Sequence, residues 1–277
     1  MLHSAVRQLT DARVPSPRMN AELLLMFALG RDRVYLYGHP EQELTTEEQT
    51  RYAEALEQRS RGIPAQYITG HQEFWGMDLI VSPAVLIPRP ETEHVIETVL
   101  ARVERAPSPA KLRIVDVDTG SGCIALALAK ELPDAEIHAT DISPAALDIA
   151  RANAARHQLT SHIQFREADL LEGIQRESFD FAVSNLPYVG ESEEDQVQLE
   201  VRKFEPRQAV FAGPTGLEVI ERLIPQAHEV LKPGGWLMIE MSGTIADRVR
   251  NTLNDWREYQ ITNDLQGIPR VASAQKA

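Results

Sequence analysis

The chain has 277 residues, of which 43% are hydrophobic and 25% charged, and its net charge is −13. Those proportions exclude a disordered, collagen-like or low-complexity chain, and the length suits one large domain or two modest ones. The acidic balance argues against nucleic acid as the main partner, because neutralising phosphates wants a basic surface, and it suits a small ligand or a basic protein partner.

In chain order, residues 19–29 are rich in Leu, Met and Ala and stop at Gly30, which marks a helix C-terminus. Thr45 and Glu48 have capping-box spacing. Behind them Tyr52, Ala55, Leu56 and Arg59 recur at helical spacing until Gly62 and Pro64. Residues 1–70 carry no ligand constellation and read as a small helical bundle. Tyr67-Ile68-Thr69 and Glu73-Phe74-Trp75 are β-formers split by Gly70, and residues 77–81 and 84–87 follow around Ser82-Pro83. A short strand pair linking two domains, a β-hairpin linker over residues 71–87, is expected. The third domain segment runs over residues 88–277. Its opening string, Pro88-Arg89-Pro90-Glu91-Thr92-Glu93, leads into a helix to about Arg105, and Ala106-Pro107-Ser108-Pro109 reads as a linker.

After Pro109 strands and helices alternate. Strands are predicted at 112–117, 136–140 (ending at Asp141), 162–167, 179–184 and 236–240. Helices are predicted at 123–132, at 144–157 with Pro144 in the first turn, at 217–231 up to Lys232-Pro233-Gly234-Gly235, and at 245–256. Residues 259–262 and 270–272 suggest late antiparallel strands. Such alternation implies an α/β fold with a mostly parallel sheet covered on both faces.

Two motifs carry chemistry. Val115-Asp116-Val117-Asp118-Thr119-Gly120-Ser121-Gly122 lies between a strand and a helix. Glycines there let backbone approach a ligand, and a helix N-terminus favours an anionic group. Asp141 ends the next strand, at the spacing that suits hydrogen bonding to ribose hydroxyls. Together they point to an adenosine-bearing cofactor, without separating a dinucleotide from S-adenosylmethionine. The second motif is Ser184-Asn185-Leu186-Pro187-Tyr188, at the end of the fourth strand of the parallel set. Asn185 both accepts and donates through its side chain. Pro187 biases Leu186 toward extended backbone, which turns the Leu186 carbonyl toward a pocket, and Tyr188 offers a flat face. Two acceptor oxygens beside an aromatic wall suit a planar NH2 group; a plain strand-ending Asn-x-Pro turn accounts for the residues equally well.

The string of residues 86–93, the Asp-x-x-Thr-Gly-Ser-Gly turn and the Asn-x-Pro-Tyr segment resemble the release factor glutamine methyltransferases. So do Gln66-Tyr67-Ile68-Thr69-Gly70, Glu73-Phe74-Trp75-Gly76, Glu205-Pro206 with Gly216-Leu217, and Asp264-Leu265-Gln266-Gly267, so the resemblance covers nearly the whole chain. It implies an N-terminal helical domain that recognises the release factor, a hairpin linker, and a Rossmann-like class I methyltransferase domain with a mostly parallel seven-stranded sheet. It implies S-adenosylmethionine as cofactor and methyl transfer to the side-chain amide nitrogen of the glutamine in the release factor's Gly-Gly-Gln motif. Asp118, Thr119, Gly120, Ser121 and Gly122 then flank the methionine part of the cofactor and Asp141 takes the ribose. Asp169 and Leu170 lie near the adenine. Asn185, at the junction of cofactor and substrate, holds the amide NH2 together with the Leu186 carbonyl, and Pro187 and Tyr188 shape the slot. Arg89 and Glu91 form part of a lid, or else a structural ion pair.

This sequence departs from the family pattern where Asp118 and Leu186 replace a usual Gly and Pro, and Ser242 stands where Gly is common. Unless Asp118 points away, its carboxylate weakens cofactor binding by repelling the cofactor's own. Two other readings of the chain are an adenine-amino nucleic-acid methyltransferase, and a cofactor- or partner-binding protein with impaired catalysis. The single cysteine, Cys123, is expected to be buried packing in a reducing cytoplasm. The start, Met1-Leu2-His3-Ser4, lacks a charged-then-apolar leader. The apolar runs at 23–29 and 123–129 are too short for a membrane helix, which needs roughly 18 residues. The 8 histidines are scattered, so no metal site is expected. Residues 191–195 read as a solvated acidic loop. The expected assembly is a monomer acting on release factors, with no direct contact to nucleic acid.

Overall fold

The computed structural model describes residues 1–105 and 111–277, so the expected linker at 106–109 lies outside the described residues. In chain order the elements are α1 (Leu2–Asp11), α2 (Pro17–Leu29), α3 (Arg33–Gly38), α4 (Thr46–Ser60), α5 (Ala65–Thr69), β1 (His71–Phe74), β2 (Met77–Ile80), α6 (Glu93–Arg105), β3 (Arg113–Val117), α7 (Cys123–Glu131) and β4 (Glu136–Asp141). There follow α8 (Pro144–Arg156), β5 (Ile163–Glu167), β6 (Phe179–Ser184), β7 (Val189–Gly190), α9 (Leu199–Phe204), β8 (Phe211–Gly213), α10 (Glu218–Val230), β9 (Leu231–Glu240), α11 (Ala246–Thr252), β10 (Arg257–Asn263) and β11 (Pro269–Gln275). The chain divides into two compact units, residues 1–71 with 198–204, and residues 72–197 with 205–277.

The first unit is a helical bundle around Leu9, Leu24, Tyr52 and Leu56. Helix α4 starts with the capping box expected from Thr45 and Glu48: Thr45 Oγ1 accepts from the Glu48 amide at 3.3 Å, and Glu48 Oε2 accepts from the Thr45 amide at 2.8 Å. Arg59 sits at a core position of α4, yet it is a charged tie. Its guanidinium donates to Asn20 Oδ1 at 2.8 Å and to the Ile63 carbonyl at 2.9 Å, and pairs with Glu200 of α9 at 2.8 Å. Residues 67–69, expected as strand, belong to helix α5 instead. Pro64 at its N-cap and Gly70 beyond its end bracket one helical turn, and Ile68 packs into the helical core, so tertiary packing outweighs local β preference.

In the second unit β1 and β2 form the expected hairpin. Its two-residue turn is Trp75-Gly76, both at positive φ (52° and 65°), the backbone that the tightest hairpin turns demand. Residues 84–87 form no strand. Val85 and Ile87 are buried, but the Ile87 amide donates to the Glu205 carboxylate at 3.1 Å, so a side chain takes the place of a strand partner. The seven-stranded sheet runs β10-β11-β9-β6-β3-β4-β5, parallel from β9 to β5 and antiparallel where β11 meets β9 and β10. Successive residues alternate between two cores. Ile114, Ile137, Phe181 and Val183 face α6 and α7, while Val115, Val117, Ala182 and Ile239 face α10 and α11. A parallel sheet apolar on both faces needs helices on both, and the chain supplies them. Strand β9 begins earlier than expected. Phe179 pairs with Leu231 and Phe181 with Trp236, so Lys232-Pro233-Gly234-Gly235 is accommodated as a register shift instead of ending the segment before the strand.

Strand order reverses between β3 and β6: the chain passes from β3 outward to β4 and β5, then returns to β6 on the other side of β3. Ligands of open α/β sheets bind outside the carboxyl ends of strands at such a point. Residues 118–122 follow β3, and residues 185–188 follow β6.

Candidate active site at the strand carboxyl ends

The loop after β3 is built around carboxylates. Asp116 is completely buried on β3 and accepts from Thr119 Oγ1 at 2.6 Å and from the Ala125 amide at 3.1 Å, which locks the loop to the first turn of α7. Burial, followed by the neighbouring Asp141 and Asp118, pushes its carboxyl up to about 7. Asp141 ends β4 and accepts from the Gly120 amide at 2.8 Å and, through its other oxygen, from the Ser143 amide at 2.8 Å. Gly122 lies at φ +84°, and a Cβ there would sit 3.2 Å from that of Ala150, so glycine lets α7 and α8 approach each other. Asn153 of α8 bonds Ile80 of the hairpin on both its amide and its carbonyl, and donates to the Ser121 carbonyl at 2.9 Å. The loop is thus held from three sides.

An open cleft lies over this loop. Asp118, Thr119, Gly120, Ser121, Asp141, Asn185 and Pro187 line it, together with Thr92 and Cys123. The structure therefore gathers seven of the sequence-derived residues in one cleft. Asp118 adopts φ +56°, a glycine-like backbone that Asp tolerates better than most residues. Its carboxylate is held in the cleft lining, where burial, then Asp141 and Asp169, push it up to about 7 against the pull of Arg222. Ser121 Oγ is buried and has no hydrogen-bond partner. Burial drives the Cys123 thiol up to about 12, in keeping with a packing role.

Other sequence-derived residues stand apart from the cleft lining. Gly122 packs between helices, as above. Leu186 is 1% exposed, its side chain inside the α10–α11 core. The Tyr188 hydroxyl donates to Glu240 Oε1 at 3.3 Å. Asp169 is paired with Arg222 at 2.5 Å, and Leu170 is buried at φ +55°. Arg89 is ion-paired to the buried Glu205, the structural alternative to a lid, and Glu91 lies within a short 3-10 turn at Pro90–Thr92.

Four residues at or beneath the site escape sequence reasoning: Thr92, Asn153, Glu205 and Glu240. Thr92 is fully buried and its Oγ1 accepts from Asn185 Nδ2 at 3.0 Å. Glu240 ends β9, buried to 1% exposure; burial pushes it up to about 7, while the Thr92 and Tyr188 hydroxyls pull it down. Thr92 and Glu205 fall in family-like strings and Glu240 at a strand end, whereas Asn153, inside α8, carries no such signal. No group of metal-ligating side chains occurs among the described residues, and none of their helices is long and apolar enough to cross a membrane.

Two family models match the chain: one described as the PrmC N-terminal domain over residues 1–70, the other as a methyltransferase small domain over residues 97–203. The release factor glutamine methyltransferase of Koribacter versatilis (strain Ellin345) is 56% identical over 274 residues, spanning 99% of this chain and 96% of that relative. The protein of the same name from Rhodopirellula baltica is 39% identical over 271 residues, spanning 95% and 90%. Among solved structures, the hMettl16 catalytic domain in complex with MAT2A 3'UTR hairpin 6 aligns with a TM-score of 0.59 at 18% identity, covering 88% of this chain and 92% of that one. The ribosomal protein L11 methylase from Lactobacillus delbrueckii subsp. bulgaricus aligns with a TM-score of 0.50 at 22% identity, covering 71% and 83%. At those identities the structural likeness speaks to the fold alone.

Proposed function

We infer, from the premise that this chain belongs to the release factor glutamine methyltransferase family, that its cleft aims a glutamine side chain at the methyl group of S-adenosylmethionine. The fold is the Rossmann-like methyltransferase fold, and the chain is an S-adenosylmethionine-dependent methyltransferase of release factor glutamine. The finer reading is methylation of the amide nitrogen of the glutamine in a Gly-Gly-Gln motif. Residues 1–70 serve to recognise the release factor, 71–87 form the linking segment, and 88–277 carry the chemistry. The enzyme works as a cytoplasmic monomer without direct nucleic-acid contact.

The residues present fit the cofactor. A glycine turn, a buried carboxylate at the end of the next strand, and an unpartnered Ser121 hydroxyl supply backbone approach, a ribose acceptor and an unused polar group. Residues 118–121 would hold its methionine part and Asp141 its ribose. When bound it supplies a strongly electrophilic sulfonium methyl.

An amide nitrogen is a poor nucleophile because its lone pair is delocalised, so this chain's residues act chiefly by position. Holding the nitrogen in line at near-attack distance contributes on the order of 7–11 kcal/mol. Asn185 Oδ1 and the Leu186 carbonyl accept the two N–H hydrogens, fix the rotation of the amide and stabilise positive charge as it develops on nitrogen. Pro187 lines the slot, and Tyr188, outside the lining, is tied through its hydroxyl to Glu240. Arg89 and Glu91 secure the segment beside it. No side chain need act as a strong base, since the nitrogen sheds a proton readily once it bears the methyl.

The observation that carries this reading is that Asn185 lines the same cleft as the glycine turn and Asp141 while its Nδ2 is already engaged by Thr92. The test is mass spectrometry of a release factor after incubation with enzyme and cofactor. A gain of one methyl on the Gly-Gly-Gln glutamine is expected; methylation of RNA or DNA adenine with none on the release factor overturns the reading.

A further inference from the structure

Between β10 and β11 the chain makes a turn that takes no part in the cleft lining. The Asp264 side chain, 10% exposed, organises it. Its Oδ1 accepts from the Gln266 and Ile268 amides at 2.9 Å each, and its Oδ2 accepts from Arg270 Nε at 2.9 Å. The Asp264 amide donates to the Ile268 carbonyl at 2.8 Å, and the Asp264 carbonyl accepts from the Gly267 amide at 2.9 Å. On this frame Leu265 is 101% exposed, with Ile268 beside it at 37%. A stray exposed leucine is ordinary on a protein surface. One that stands on a turn so closely bonded is preorganised, so covering it costs little ordering entropy. We propose that Leu265 is a docking residue for the release factor, received by an apolar patch beside the loop that bears the glutamine. The proposal rests on the reading that Asn185 grips the acceptor amide.

The sheet order places this turn on the acceptor side. Strand β11 lies against β9 with Val271 opposite Glu240, and β9 lies against β6 with Ile239 opposite Ser184. Asn185, the residue after Ser184, therefore stands level with Glu240 and Val271 at the cleft end of the sheet. The turn rises beyond that level, since at about 3.3 Å per residue Ile268 lies roughly 10 Å past Val271. Two strand spacings, about 10 Å, separate β11 from β6 sideways. The cofactor turn and Asp141 follow β3 and β4, on the opposite side of β6. Methyl transfer to nitrogen is an in-line displacement, with the nitrogen on the far side of the methyl from the sulfur. The release factor therefore approaches from the side away from the cofactor turn, and the protein body that carries its glutamine passes over the ends of β9 and β11.

The loop after β9 backs the turn but leaves Leu265 uncovered. The Met241 amide donates to the Arg270 carbonyl at 2.8 Å, and a Cβ at Gly243 would lie 3.0 Å from Ile268 Cγ2, so Ile268 is seated on that loop. A folded protein substrate spans the distance from Asn185 to Leu265 while its glutamine occupies the cleft; a small amide does not. Leu265 thus contributes to holding the release factor and not to the methyl transfer itself.

The experiment takes the full-length enzyme and an unmethylated release factor, and measures their affinity by calorimetry together with kcat and KM. Leu265→Ala is expected to raise Kd and KM by about tenfold, the scale of uncovering most of one leucine side chain. Its kcat at saturation and its cofactor affinity should stay within about twofold. Leu265→Met, which keeps an apolar side chain, should restore most of the affinity. Asp264→Ala, which releases the turn, should weaken binding by about threefold. Combined with Leu265→Ala it should add less than it costs alone, because both act through one contact. Parental Kd in Leu265→Ala overturns the proposal, as does loss confined to kcat, or full additivity in the double variant. A parental dimer that Leu265→Ala dissociates in sedimentation also overturns it, since a second copy then covers the leucine. Two levels are kept apart. If Asn185→Ala methylates the release factor normally, the parent reading falls; if Asn185→Ala is inactive while Leu265→Ala binds like the parent, only the present inference falls.

Discussion

The two ends of the cleft are built differently. At the cofactor end, Asp116 on β3 and Asp118, Gly120 and Gly122 of the turn after it come from one short stretch, and Asp141 reaches them by ending the adjacent parallel strand. At the acceptor end, Asn185 is bonded to Thr92 and Tyr188 to Glu240, pairs far apart in the chain that form where the turn before α6 and two strand termini converge. A short-range motif can hold backbone in place for a ligand; fixing the direction of a hydrogen bond takes partners from across the sheet.

Substitutions test that contrast. The largest effect is expected at the acceptor end. Asn185→Ala should cut kcat by about 10²–10³-fold, comparable with loss of a preorganised transition-state hydrogen bond, with cofactor affinity by calorimetry little changed. If affinity falls in step with turnover, the two ends are one functional unit and the comparison breaks. Next, Asp141→Ala should weaken cofactor affinity by about 10–100-fold, since charged hydrogen bonds contribute about 1.5–3 kcal/mol each; kcat at saturation should change less. A third substitution asks how far the cofactor turn depends on remote support. Asn153→Ala leaves buried groups on Ile80 and Ser121 unpaired and should cost about 1–3 kcal/mol in denaturant unfolding, with a modest loss of cofactor affinity.

The smallest effect is expected at Asp118. Folded, it keeps its proton up to about pH 7, against an ordinary value of 3.8. A raised carboxyl contributes stability that is full below its unfolded value and lost as pH rises through its folded one. Asp118→Gly should therefore melt higher than the parent at pH 8, and the gap should narrow as pH falls toward 4. What remains at low pH reflects relief of the positive φ, which glycine adopts freely. Cofactor affinity should follow the same sense: the ionised carboxylate repels the cofactor's, so the parent should bind several-fold more weakly than Asp118→Gly at pH 8 and comparably below pH 6. Equal affinities across that range would remove Asp118 from the account of binding.

Much of this molecule is written in local pattern. Strand and helix alternation after residue 110, the capping box at Thr45, the glycine turn and Asp141 all follow from spacing within one or two elements, and the structure has them where expected. Local pattern misreads residues 67–69 and 84–87, because their fate is decided by packing into the helical core in one case and by the Glu205 carboxylate in the other. Thr92, Asn153 and Glu240 look like ordinary polar residues in their own neighbourhoods. Their importance comes from burial and from partners 32 to 93 positions away, as with Asn153 to Ser121 and Asn185 to Thr92. Sequence alone determined which segments carry the chemistry, since propensity and turn geometry act over a few residues. Tertiary structure alone decided how the buried polar groups are satisfied, because a hydrogen bond has direction and its partner is chosen in space.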